Sequence, residues 1–101
     1  MEFKDKVTYE MSGPPPSHLW NHKADFVADM LKWGYSHTTL NKNTDMLIVA
    51  EKDLGTLKCQ KAKKYDISIY TYEEAFKKKE NLYIRTIRNK KIKSLEKSKD
   101  S

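Results

Sequence analysis

Met46-Leu47-Ile48-Val49-Ala50 is the stretch that most constrains what this chain can fold into. Five apolar side chains in a row, at strand length, leave no polar face to turn towards water. Such a strand has to be covered on both sides, which predicts a sheet sandwiched between helices.

The remaining pattern supplies the other layers. Val7, Tyr9 and Met11 alternate with Lys6, Thr8 and Glu10, the period of a strand with one buried face. Ser12-Gly13-Pro14-Pro15-Pro16 ends it, because proline fixes φ and removes a donor. Ser17 is the expected N-cap of a first helix, with Trp20, Ala24, Val27 and Leu31 along one face, Met30 beside them, and Gly34 closing it. Tyr35 to Leu40 reads as a weaker strand, followed by a polar turn at Asn41-Lys42-Asn43. Beyond the apolar run, Lys52–Gly55 is expected to be a loop and Thr56 to cap a second helix over Leu57–Tyr65. Ile67, Ile69 and Tyr70 mark a last strand, and Thr71 or Tyr72 opens a third helix with Ala75 and Phe76 inward. The order is β-α-β-β-α-β-α, an α/β fold with a mostly parallel sheet and helices on both faces.

Charge divides the chain unevenly. Residues 84–101 hold Arg85, Arg88, Lys90, Lys91, Lys93, Lys97 and Lys99 against Glu96 and Asp100, so most of the net charge of +6 lies there. Residues 1–83 are therefore read as the folded domain and 84–101 as a basic tail, helical or disordered, attracted to a polyanion. No apolar run approaches the length of a membrane span. Met-Glu-Phe-Lys-Asp-Lys lacks the layout of a secretory signal, and Cys59 is the single cysteine. An intracellular setting is expected, in bacterial or infected-host cytoplasm or in a nucleus. Neither metal nor cofactor is expected: there is no Cys/His cluster with zinc spacing. His18, His22 and His37 read as surface residues. Walker A and ligase-type nucleophilic lysine motifs are missing, and no paired catalytic carboxylates stand on a recognisable scaffold, so the chain reads as a binding module rather than an enzyme.

Asn43-Thr44-Asp45-Met46-Leu47-Ile48-Val49, then Lys58-x-x-Lys61-Ala62, then Ile67-x-Ile69-Tyr70, resembles the BRCT domain over about residues 3–80. The likeness is nearest to the BRCT domains of NAD-dependent DNA ligases and of the replication factor C large subunit. It implies strand order 2-1-3-4. Only Gly34 stands where family members usually carry paired glycines, Phe76 replaces a common tryptophan, and the three prolines depart from the pattern.

In an open parallel sheet, ligands sit beyond the carboxyl ends of the strands at the switch point. There the pattern converges Ser12 and Gly13, the start of the second helix at Thr56, and Lys58 and Lys61 on one helix face. A hydroxyl, a backbone amide, a helix N-terminus and two ammonium groups suit a phosphate. The resemblance implies that Ser12 and the two lysines contact a phosphate, with Lys23 near the place of a family arginine. The expected ligand is the 5′-phosphate of a duplex DNA end or nick, with Arg85, Arg88, Lys90, Lys91 and Lys93 along the DNA backbone. The alternative is a protein-interaction module that docks a phosphopeptide or a partner subunit of a ligation or replication complex.

Overall fold

The computed structural model describes residues 5–51 and 55–100, the side chains of 92–100 excepted. The expected loop at Lys52–Gly55 therefore lies mostly outside the described residues. The elements are β1 (Val7–Ser12), α1 (Lys23–Leu31), β2 (Tyr35–His37), β3 (Met46–Val49), α2 (Leu57–Lys64), β4 (Ser68–Thr71), α3 (Tyr72–Lys77) and α4 (Lys79–Asp100). They build a small α/β protein with one four-stranded sheet, all pairs parallel, in the order β2-β1-β3-β4.

β3 is covered on both faces, as its composition requires. Met46 and Ile48 join Val7, Tyr9 and Met11 in a cluster with side chains of α1, α3 and α4. Leu47 and Val49 join Cys59, Ala62 and Ile67 in a second, smaller cluster beneath α2. Alternate residues of one strand thus serve two layers.

The first helix differs from expectation. The chain turns at Pro16, whose carbonyl accepts from Leu19 and Trp20 N–H, and α1 begins only at Lys23. His22 takes the N-cap position in place of Ser17, and its N–H donates to the Asp25 carboxylate at 3.2 Å. The inward stripe is Phe26 and Met30, while Leu31 is 52% exposed. Trp20 is still buried, reaching the core from the loop, and its indole N–H donates to Asp29 at 2.8 Å. Its ring meets Phe26 edge to face at 4.8 Å, and Phe26 meets Tyr72 at 4.8 Å. A proline-directed turn before the helix shifts its start, and every inward position shifts with it.

The other helix ends follow local rules. Thr56 Oγ1 accepts from Cys59 N–H at 3.2 Å, capping α2 as its sequence indicates. Thr71 and Glu74 form a reciprocal capping box on α3. α2 closes with Asp66 N–H on Lys63 O and Ile67 N–H on Ala62 O, the two bonds of a Schellman motif. Its left-handed residue is Asp66, at φ 58, where glycine is the usual occupant. A side chain in that conformation costs on the order of 1 kcal/mol.

α4 runs through the expected boundary at residue 83/84. Leu82 and Ile87 are buried in the main cluster, and Ile84 is exposed. Tyr83 Oη donates to Asp5 O at 2.7 Å, and Lys90 Nζ donates to Lys6 O at 3.0 Å. The first half of the basic segment is therefore part of the folded body. Among the described residues no helix is long and apolar enough to cross a membrane.

Candidate functional site

Because all strands run one way, Ser12, Val49 and Thr71 share the carboxyl edge of the sheet, and Val7, Met46 and Ser68 the amino edge. Of the sequence-predicted phosphate residues, Ser12, Gly13 and Lys58 lie at the carboxyl edge. Gly13 has φ +84, and a Cβ there would lie 3.1 Å from Ala50 Cβ, so the turn both needs glycine's conformation and packs tightly. Tyr72 Oη donates to Gly13 O at 2.7 Å; burial pushes this hydroxyl up to about 12, which keeps it a donor. Ser12 is buried at the end of β1.

Lys58 reaches this edge and is already occupied. Its ammonium donates to Met11 O at 2.8 Å and lies 3.8 Å from Glu10 Oε2. β2 ends at His37, so Met11 has no strand neighbour on that side, and side chains complete its bonding. Glu10 Oε1 accepts from Met11 N–H at 2.8 Å and from His37 Nε2 at 2.6 Å. Both residues read from sequence as outward-facing. Glu10 is in fact only 9% exposed, with His37 of β2 and Lys58 of α2 on its carboxylate, and His37 is its partner rather than a plain surface residue. The signal in sequence is slight: an acid in a strand whose other face is core.

Burial by itself pushes the Glu10 carboxyl up. The Met11 amide, the His37 ring and the Lys58 ammonium outweigh it and hold the group below the usual carboxylate range. A depressed carboxyl adds stability that is present above its unfolded value and is lost as pH falls through its folded value. Wild-type stability is therefore expected to drop more steeply than that of Glu10→Gln below about pH 4.3, in urea melts taken across that range. Parallel curves for the two proteins would show that the charge of Glu10 contributes nothing.

Thr56 spends its side chain on the α2 cap. Lys61 on α2 and Lys23 at the start of α1 are exposed and make no hydrogen bond or ion pair with Ser12, Gly13 or Lys58 among the described residues. The structure thus brings together Ser12, Gly13 and Lys58, adds Glu10 and His37, and leaves Lys61 and Lys23 in solvent.

The basic segment lies at the opposite edge. Lys90 forms a 2.7 Å ion pair with Asp45, whose carboxylate also accepts from Thr8 N–H at 2.8 Å and from Thr8 Oγ1 at 3.0 Å. Arg85 and Lys90 line a cleft of about 620 Å³ between α4, the amino ends of β3 and β4, and the turn after α2. Arg88 and Lys91 are exposed on the same helix, and the side chain of Lys93 lies outside the described residues. Lys90 is thus a docking residue for α4, whereas Arg85, Arg88 and Lys91 face solvent without a carboxylate partner among the described residues. Among those residues no group of three or more His, Cys, Asp or Glu side chains could hold a metal ion.

The chain matches no protein-family model, no curated protein and no solved structure. The BRCT resemblance accordingly rests on the quoted sequence motifs alone.

Proposed function

We propose that this chain is a non-catalytic, BRCT-like module that binds the phosphate backbone of duplex DNA, with a 5′-phosphorylated end or nick as its preferred ligand. The observation that carries the reading is a set of exposed cations on two helices. Lys61, Lys63 and Lys64 on α2, and Arg85, Arg88 and Lys91 on α4, are exposed and have no carboxylate partner among the described residues. The carboxylates Glu10 and Asp45 are mostly buried and already paired. Such exposed cations attract polyanions, and arginine and lysine hold phosphate without acceptor competition. Terminal-phosphate recognition at the carboxyl edge requires Lys58 to exchange the Met11 carbonyl and Glu10 for the ligand.

The test is binding of a fluorescent duplex with and without a 5′-phosphate, at low and moderate salt. Wild type should bind with an affinity that falls steeply with salt, by a slope near 0.9 per phosphate contacted. Replacing Lys61, Lys63 and Lys64 together by alanine should lower that slope by about 2–3 and leave the fold intact. Lys58→Ala should remove the preference for the phosphorylated end, but it also strips the Met11 carbonyl of its donor. Its stability must therefore be measured beside its binding. A duplex bound equally well with or without phosphate would sink the end-specific part of the reading. No binding to either duplex would overturn the DNA reading and favour a protein partner.

A further inference from the structure

The geometry points to a second site: we infer that the cleft at the amino edge of the sheet binds a nucleoside phosphate. This goes beyond backbone binding, since the cleft is separate from the carboxyl-edge site and its ligand needs no duplex.

The volume, about 620 Å³, is that of a small-ligand pocket and not of a groove that accommodates a double helix. The lining supplies each type of contact that such a ligand uses. Arg85 and Lys42 line the cleft as exposed cations without an ion pair among the described residues, and so are available to a phosphate. Tyr65 lines the cleft and is 37% exposed, a large ring at the surface suited to stacking on a base. Asn89 contributes an amide with donor and acceptor for a base edge.

Asp66 is the most informative member. It lines the cleft, it is exposed, and it carries no ion pair among the described residues. It also occupies the left-handed position that closes α2, where glycine would be less strained. Its carboxylate, exposed in the cleft, can accept hydrogen bonds from the hydroxyls of a ribose. The other acid in the lining, Asp45, is committed to Thr8 and Lys90.

The experiment is a titration of the full chain with AMP, adenosine, inorganic phosphate and a 5′-phosphorylated single-stranded oligonucleotide, followed by amide shifts and calorimetry. AMP should shift the amides of Asn43, Ser68, Arg85 and Asn89, and bind about tenfold more tightly than adenosine. Arg85→Gln and Tyr65→Ala should each weaken AMP by about tenfold; both side chains are exposed, so the fold survives. Asp66→Gly should raise the melting temperature while removing any preference for AMP over dAMP. That pair of effects would not arise from a purely structural aspartate. Tighter binding of the oligonucleotide would identify a strand terminus as the source of the nucleotide, and equal or weaker binding the free nucleotide. Millimolar AMP that leaves the cleft amides unmoved would overturn the inference, as would inorganic phosphate that shifts them equally. If duplex DNA still bound in that case, the proposed function would stand and only this site would fall. If AMP bound the cleft while no duplex bound, the reverse would hold.

Discussion

Phe26→Ala is expected to cost about 3–5 kcal/mol, a large part of the stability of a domain this small. Phe26 is fully buried and meets Trp20, Tyr72 and Tyr9 edge to face, the last at 5.9 Å. Its removal leaves a cavity that three large rings, each held from other elements, cannot collapse to fill. Leu31→Ala on the same helix should stay within about 0.5 kcal/mol, because that side chain is 52% exposed. Equilibrium urea unfolding of the two variants reads the rotational phase of α1 directly. Similar costs for both would mean that the helix faces the core differently from the arrangement described.

The second large effect is expected at Asp45. Asp45→Ala should destabilise the protein by about 2–3 kcal/mol, since it leaves the Thr8 N–H and hydroxyl without an acceptor and leaves Lys90 with only the Lys6 carbonyl. Lys90→Met should cost less than about 1 kcal/mol, because Lys90 is partly exposed and its methylene stem can be replaced. Asp45→Asn should fall between, as the amide oxygen still accepts from Thr8. Hydrogen exchange adds the structural readout. In Asp45→Ala, protection of the α4 amides over residues 79–91 should fall further than that of β3. Unchanged α4 protection would show that the contacts other than Asp45, Leu82, Ile87 and Tyr83 among them, hold the helix against the sheet.

The two changes bear differently on function. α4 carries Arg85, Arg88 and Lys91, and its docking sets where those charges stand relative to α2 and to the amino-edge cleft. Asp45→Ala raises the net charge by one while scattering the surface, so charge alone would favour tighter nucleic-acid binding. A loss of nucleic-acid binding in Asp45→Ala, at temperatures where the body stays folded, would show that placement of the cations matters beyond their number.

What the sequence determined by itself is what depends on near neighbours. The apolar run at 46–50 required a strand covered twice, and the observed alternation of Met46 and Ile48 with Leu47 and Val49 between two clusters is the consequence. Thr56 and Thr71 cap their helices through bonds to residues three positions on, so the pattern is local and readable. The parallel direction of the strands followed from helical crossovers, whereas their order was what the family resemblance implied. The tertiary structure decided the rest, because it depends on which distant segments lie side by side. α1 buries Phe26 rather than the stripe through Leu31, since the turn at Pro16 moves the helix start and delivers Trp20 from outside it. Glu10 became a buried partner only because His37 of β2, Lys58 of α2 and the free Met11 amide meet on its carboxylate. Lys58 is turned inward by a carbonyl 47 residues away, and Lys90 is held by one 84 residues away. Lysines read alike in a sequence; whether each meets a ligand or the protein's own backbone is settled by contacts that periodicity does not encode.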